Sequence, residues 1–327
     1  MSAPILVTGG AGYIGSVCVE SLIAQKHKVV VIDNLQSGHR KAVHPQCIFV
    51  KGNFGNSSLI RTIIAKYKIS SVIHFAAQTE VGKANTHPHI YFKNNLVNGI
   101  SLLNSLIKSK CTRIVFSSTA AVYGNSKFGL ISESSEKNPL NSYGESKLMF
   151  ENVIRHYSSA HGLKYFIFRY FNAAGASRNF GEYHQTETHL IPLVLQVAQK
   201  KKESIKIFGN DYPTKDGTCI RDYVHVKDIA EAHILALSKF ETMENMIFNL
   251  GNQTGASVKD VIRSCKKITG KKIDFTVSSR RPGDPSSLIA DARAARKKLN
   301  WGPKHSDLQT IIKSAWEWTS SHPDGYN

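Results

Sequence analysis

The chain has 327 residues, 41% hydrophobic and 20% charged, which is the balance of a folded globular protein and excludes a disordered or low-complexity one. No segment approaches the roughly 18 consecutive apolar residues that span a bilayer, and the first apolar stretch is too short for a secretory signal, so no membrane partner is expected and the cytoplasm is the expected compartment. The formal net charge is +18, yet the basic runs Lys200–Lys202, Lys271–Lys272 and Arg296–Lys298 are short and lack interleaved aromatics. That argues against a nucleic-acid partner and leaves a field suited to small anionic ligands.

Taken in chain order, apolar runs predict strands at 5–9, 28–33, 47–51, 71–76, 113–118 and 164–170. Periodic patterns between them predict helices at 13–25, 57–67, 88–108 and 143–161. Continuous apolar strands alternating with helices predict a parallel sheet covered on both faces. After Asn172 the pattern loosens into helices near 190–200, 227–239, 256–268 and 305–319, with a loop rich in Gly, Asp and Pro at 209–221. The apolar segment 246–250 can return to the main sheet. The expected architecture is α/β: a Rossmann-type doubly wound parallel sheet over 1–172, with 222–252 returning to it. A smaller, partly discontinuous C-terminal region covers mainly 173–327. A ligand cleft is expected between the two at the carboxyl edge of the sheet. Cys18, Cys47, Cys111, Cys219 and Cys265 are scattered without a Cys-x-x-Cys, so neither disulfides nor a metal site is expected.

The first strand leads into Thr8-Gly9-Gly10-Ala11-Gly12-Tyr13-Ile14-Gly15, readable as G-x-G-x-x-G from Gly10 or as G-x-x-G-x-x-G from Gly9. Glycines there permit a tight turn and bring a helix N-terminus against a pyrophosphate. Asp33 closes the second strand, where a carboxylate accepts hydrogen bonds from ribose hydroxyls and repels a 2′-phosphate. The three features together predict a dinucleotide site and favour NAD, while His39, Arg40 and Lys41 leave NADP open.

Ser117-Ser118-Thr119 ends the fifth predicted strand, and Tyr143-Gly144-Glu145-Ser146-Lys147 opens a helix. Tyr143 and Lys147 are four apart and share a helix face. A phenol with an ordinary pKa of about 10 is a poor base at neutral pH. A nearby ammonium and a positive nicotinamide would stabilise its phenolate, and Thr119 could hydrogen-bond the reacting oxygen.

With these motifs the chain resembles the extended short-chain dehydrogenase/reductase superfamily over essentially its whole length, and within it the UDP-glucose 4-epimerase family. The resemblance extends to Phe168-Arg169-Tyr170-Phe171-Asn172, Phe208-Gly209-Asn210-Asp211-Tyr212-Pro213-Thr214, Asp216-Gly217-Thr218, Arg221-Asp222-Tyr223-Val224-His225-Val226, Arg280-Arg281-Pro282-Gly283-Asp284 and His322-Pro323-Asp324-Gly325-Tyr326. It implies that Gly9, Gly12 and Gly15 with Tyr13 and Ile14 line the pyrophosphate of NAD. Asp33 and Asn34 would meet the adenosine ribose, and Asn53 and Phe54 the adenine. Phe75, Ala76, Ala77, Thr79, Asn94, Thr119, Tyr143, Lys147 and Phe171 would complete the cofactor site. Asn172, His189, Leu190, Lys206, Phe208, Arg221, Arg281 and Asp284, with Thr119, Tyr143 and Leu288, would hold a UDP-sugar. Arginine suits a diphosphate because its guanidinium makes paired charge-assisted hydrogen bonds. The implied reaction is inversion at C4 through a 4-keto sugar, with Tyr143, Lys147 and Thr119 as the catalytic group. A homodimer built on the helices at 88–108 and 143–161 is also implied.

Four positions depart from the best-known pattern of that family. Asn53 replaces an aspartate, and its carbonyl can still accept a hydrogen bond from the adenine amine. Thr79 replaces a lysine, Leu288 a large tyrosine and His189 an asparagine. The changes at 79 and 288 widen the sugar pocket, so UDP-glucose and UDP-galactose, their N-acetylhexosamine forms, UDP-pentoses and UDP-uronates all stay open. A nucleotide-sugar 4,6-dehydratase would need an acid–base pair directly after Thr119, where Ala120-Ala121 cannot transfer protons. A non-catalytic NAD-binding protein would be expected to lose the Tyr143/Lys147 pair.

Overall fold

The computed structural model describes residues 3–125, 129–281 and 284–327. Its centre is a seven-stranded parallel sheet. From one edge to the other the strands are Met246–Leu250, Lys164–Tyr170, Arg113–Thr119, Ser71–His74, Ile5–Thr8, Val29–Asp33 and Ile48–Lys51. Consecutive strands run outward in opposite directions from the Ile5–Thr8/Ser71–His74 pair. That reversal leaves a crevice at their carboxyl ends, where open α/β sheets bind ligands.

Each face of the sheet carries its own core. On one side Val17, Cys18 and Leu22 of the helix Tyr13–Ala24 meet Ile229, Ala230 and Ala236 of the helix Val226–Lys239. On the other, Ile60 and Ile63 meet Leu102, Leu103 and Leu106, with Phe150 and Ile154 completing the layer. The helix ends are marked by local chemistry. Asn56 accepts from Leu59 N–H at 3.1 Å and Asn141 from Gly144 N–H at 2.9 Å, caps that each contribute about 1 kcal/mol.

The helix expected over 88–108 is one rod with an interruption. Pro88–Tyr91 and Asn98–Lys108 are α-helical, but Phe92–Val97 between them is a π-turn. The wider turn shifts the register of side chains after Tyr91, and such turns concentrate at functional sites. The helices expected at 256–268 and 305–319 start two and three residues later than periodicity suggests, and a short helix, Arg293–Lys298, lies between them. Ser257 and Asp260 form a capping box that starts Val258–Thr269, and Asp307 accepts from Thr310 N–H at 2.9 Å to start Leu308–Ser321.

Beyond the sheet's carboxyl edge lies a second, smaller sheet ordered Gly255–Ser257, Ile220–His225, Ser287–Ala290, Leu130–Ile131, with Asn172–Ala174 also pairing Ile220–His225. Ile205–Phe208 and Phe275–Ser278 make a separate parallel pair. The helices Leu190–Ala198, Val258–Thr269 and Leu308–Ser321 enclose a third core around Val194, Ile262 and Ile311. Among the described residues no helix is long and apolar enough to cross a membrane.

Candidate active site

The glycine loop fills the crevice at the sheet's centre. Gly9 has φ +74°, and a Cβ there would stand 2.6 Å from Ala76 N. A Cβ at Gly15 would stand 2.2 Å from Gly9 O, so only glycine lets the helix Tyr13–Ala24 pack this close to its strand. Gly12 differs: its Cβ would meet only Gly9 O, at 3.4 Å, so the protein itself does not demand a glycine there. Gly12 is the N-cap residue, and no side chain caps that helix end, which leaves its positive end open to an anion. Tyr13 anchors the loop outward, its hydroxyl donating to Gly175 O at 2.6 Å. Ile14 packs against the core on the same face of the sheet.

Asp33 holds this loop from the side. Its two oxygens accept from Ala11 N–H at 3.1 Å and Leu35 N–H at 2.8 Å. Each oxygen keeps a further lone pair, which suits a vicinal diol. Burial pushes the Asp33 carboxyl up while the two amides pull it down. Asn34 and Asn53 each shape a turn, accepting from Gln36 N–H at 3.0 Å and Gly55 N–H at 2.7 Å. Gly52 N–H donates to Asp33 O at 3.0 Å, which sets the two turns side by side. Phe54 is buried edge-on to the His74 ring, 4.9 Å between centroids. Phe75 and Ala76 amides both donate to Thr8 O. Ala77 is half-buried and Thr79 exposed along the loop that follows.

The π-turn presents two adjacent asparagines differently. Asn94 is half-buried and donates to Asn95 Oδ1 at 3.2 Å. Asn95 is 2% exposed, accepts from Gln78 N–H at 2.8 Å, and donates to Gln78 O and Ser146 Oγ, both at 3.1 Å. Asn95 therefore ties the loop 75–80 to the residue preceding Lys147. The sequence reading missed it, because helical periodicity alone places Asn94 and Asn95 without the shift that the π-turn adds.

Strand Arg113–Thr119 and helix Ser142–His161 bring the catalytic candidates together. Lys147 Nζ donates to Ser117 O at 2.8 Å and lies 4.8 Å from the centre of the Phe116 ring. Burial lowers its pKa to about 7, against the pull of Glu151. Thr119 accepts from Ala121 N–H at 3.1 Å, and its hydroxyl stands near enough to Tyr143 to pull the phenol's pKa down. Burial raises the Tyr143 phenol above its ordinary value, the Thr119 hydroxyl opposes this, and Tyr91 adds to the rise. So the protein alone does not supply the lowered phenol that proton transfer at neutral pH needs; a further positive charge must.

Behind this pair runs a buried polar network absent from the sequence reading. Arg169 donates to Glu151 at 3.0 and 2.5 Å and to the Tyr123 hydroxyl at 2.9 Å. Tyr123 donates to Asn249 Oδ1 at 2.7 Å, Asn249 donates to Ile131 O at 2.8 Å, and Ser118 donates to Glu151. Its members lie far apart in sequence, so only their buried polar character could have hinted at it.

The substrate candidates gather on the second region. Phe171 is buried, its amide donating to Leu250 O at 3.1 Å, and Asn172 beside it is exposed at the start of the smaller sheet. Arg221 pairs with Asp284 and donates to Pro285 O at 3.0 Å. Arg281 lies over the Phe208 ring, 4.0 Å from its centre, and Lys206 and Phe208 share one face of their strand. Arg280 is engaged elsewhere, bonded to Asp211 at 2.8 Å; Pro282 and Gly283 of the same motif lie outside the described residues. Leu288 pairs in register with Arg221 and packs beside Phe171 and Val122. His189 holds the N-cap position of the helix that begins at half-buried Leu190 without capping it by side chain; its ring Nδ1 turns to Glu182 and Glu187 instead.

The NAD dependent epimerase/dehydratase family model matches residues 5–251. UDP-glucose 4-epimerase of Halalkalibacterium halodurans is 46% identical over 99% of this chain and 97% of its own length. The crystal structure of UDP-glucose 4-epimerase from Bifidobacterium longum in complex with NAD+ and UDP is 31% identical, covers 98% of this chain and 99% of its own, and superposes with a TM-score of 0.92. The UDP-Glc/GlcNAc 4-epimerase of Campylobacter jejuni is 39% identical, with 98% and 100% covered and a TM-score of 0.87. With its glycine cradle, its Tyr143/Lys147 pair and likeness along the full length, the chain belongs to the NAD dependent epimerase/dehydratase family.

Proposed function

We propose that the chain is an NAD-dependent UDP-sugar 4-epimerase. The observation that carries this reading is the strand end Ser117–Thr119, which engages Lys147 through a carbonyl and Tyr143 through a hydroxyl. It stands one strand away from the glycine cradle. The cradle fits NAD: the open face at Gly12, the uncapped helix end and the free lone pairs of Asp33 match a pyrophosphate and a ribose. Bound there, NAD would take up hydride from C4 of the sugar, give it back to the opposite face, and carry the positive charge that lowers the Tyr143 phenol. Tyr143 removes the proton from the 4-hydroxyl and later returns it to the same oxygen. Thr119 orients that oxygen. Lys147, fixed on the Ser117 carbonyl, keeps a cation beside the site.

Arg221, Arg281, Phe208, Lys206, Asn172, Leu190 and Asp284 are the groups we assign to the nucleotide diphosphate, and Leu288 to the sugar. Firm anchoring of the diphosphate leaves the 4-keto sugar free to turn, which inversion requires. A leucine rather than a large aromatic at 288 favours a pocket that also admits a 2-acetamido group. Residues 1–172 with the 222–252 return form the cofactor unit and 173–327 mainly the sugar unit. We also place the chain in the cytoplasm, in keeping with five free cysteines, four of them buried. A homodimer through the helices at 88–108 and 142–161 is supported by exposed Ile90, Val97, Leu140 and Met149 along and beside them.

The test is incubation of the purified protein with UDP-galactose, UDP-N-acetylgalactosamine and UDP-pentoses, together with identification of the nucleotide released on denaturation. C4 epimers are expected from the hexose and the N-acetylhexosamine. Bound NAD with no epimer from any of them would overturn the reading. Tyr143→Phe should lower kcat by about 10²–10⁴ without loss of NAD.

A further inference from the structure

Outside the catalytic group, one loop gathers four metal-ligating side chains. Glu182, His184, Glu187 and His189 each place one donor atom within 4.8 Å of the other three. His184 Nδ1 lies 3.2 Å from Glu187 Oε2 and 3.5 Å from Glu182 Oε1. His189 Nδ1 lies 2.8 Å from Glu182 Oε1 and 3.1 Å from Glu187 Oε1. Both glutamate side chains are nearly covered, at 7% and 6% exposure. An imidazole N–H points in one direction, so neither ring can give a linear hydrogen bond to both carboxylates. A cation at the common centre satisfies all four donors at once.

We propose that Glu182, His184, Glu187 and His189 bind one divalent cation of the zinc class. Two imidazole nitrogens and two carboxylate oxygens are a donor set that zinc takes, and bonds of about 2.0–2.2 Å in a tetrahedron separate the ligand atoms by about 3.3–3.6 Å. The imidazole–carboxylate pairs here sit at 2.8–3.5 Å, and one atom from each of the four residues lies within 4.8 Å of the other three, so side-chain adjustments of about an ångström bring the set to that spacing. The shell around the site is already in place. Glu187 Oε1 accepts from the Thr188 and His189 amides, both at 2.8 Å, which fixes the carboxylate. The loop is held by Tyr326, whose hydroxyl bonds both Gly181 N and Gly181 O at 3.0 Å, and by His39, which bonds Tyr183 O at 3.1 Å. His189 is also the N-cap of the helix Leu190–Ala198. The ion would therefore fix the start of that helix. The His189 side chain is still about half exposed, at 54%.

The test uses the full chain with its NAD, purified without a polyhistidine tag, stripped with a chelator and titrated with zinc chloride. About one equivalent of zinc should bind, raise the midpoint of thermal unfolding and survive gel filtration. His184→Ala/Glu187→Gln should weaken zinc binding by more than about tenfold while keeping NAD and the far-ultraviolet spectrum. Cobalt loading gives a readout independent of those variants. The unaltered chain should show the intense visible bands of four-coordinate cobalt, and His184→Cys should add a thiolate charge-transfer band. Uptake below about 0.1 equivalent with no cobalt bands would overturn the proposal, as would unchanged stoichiometry and affinity in the double variant.

Discussion

Lys147 Nζ and the Ser117 carbonyl, 2.8 Å apart, join the helix Ser142–His161 to the end of the strand Arg113–Thr119. The bond turns a flexible ammonium into a fixed charge beside Tyr143. Lys147→Ala should remove that charge and leave the Ser117 carbonyl buried without its donor. We expect kcat to fall by about 10²–10⁴ with the fold kept, measured by coupled assay alongside circular dichroism. Lys147→Arg should not rescue it, because a planar guanidinium does not fit a site shaped for a compact ammonium.

Asn95 makes a separable prediction. Asn95→Ala leaves Gln78 N–H and C=O and the Ser146 hydroxyl without their buried partner. At about 1–3 kcal/mol for an unsatisfied buried group, stability should drop by at least about 2 kcal/mol, read from urea unfolding. Asn94→Ala, on the half-buried neighbour, should cost little stability and act on NAD retention instead. Equal stability losses at 94 and 95 would contradict the assignment.

Glu151 and Arg169 are almost fully buried and make two hydrogen bonds to each other. Arg169→Met should cost about 3–5 kcal/mol by leaving the Glu151 charge alone. Adding Glu151→Leu should recover part of that loss. A double variant less stable than the single one would show that Glu151 has other essential partners, with Ser118 the first to examine.

His74 predicts a pH dependence. Burial, with the Lys147 charge adding to it, lowers its pKa to about 3, and it shares a 2.6 Å hydrogen bond with Thr8. Its folded pKa lies below the unfolded value of about 6.5, so acidification protonates the unfolded chain first. Its contribution is complete above pH 6.5 and is lost as the pH falls toward about 3, at about 1.4 kcal/mol per pH unit. His225 and His233, each lowered to about 4 chiefly by burial, act in the same direction. Urea unfolding at pH 7 and pH 5 should show the loss, and His74→Gln should reduce its slope.

The strands, the glycine loop, Asp33 and the Tyr143/Lys147 pair were legible because each is written in neighbouring residues with a fixed period. The second region was less so, since its strands are two to six residues long and pair with partners far away in the chain. Of the two asparagines, only Asn94 could be proposed, because the π-turn that turns Asn95 inward follows from packing rather than from composition. Glu182, His184, Glu187 and His189 carry no cysteine motif, and their spacing becomes a cluster only when the loop folds back.

The smaller sheet has a mechanical consequence. Leu130–Ile131 from the first half of the chain bonds Ser287–Ala290, and Asn172–Ala174 bonds Ile220–His225, while Met246–Leu250 returns to the large sheet. The polypeptide is thus stitched back and forth across the cleft, and every stitch is a strand pairing rather than a linker. Opening such a cleft like a jaw would require breaking ladder bonds on several crossings together. On the proposed reaction, then, the turn between the two faces of the sugar falls to the bound ligand rather than to a hinge in the chain.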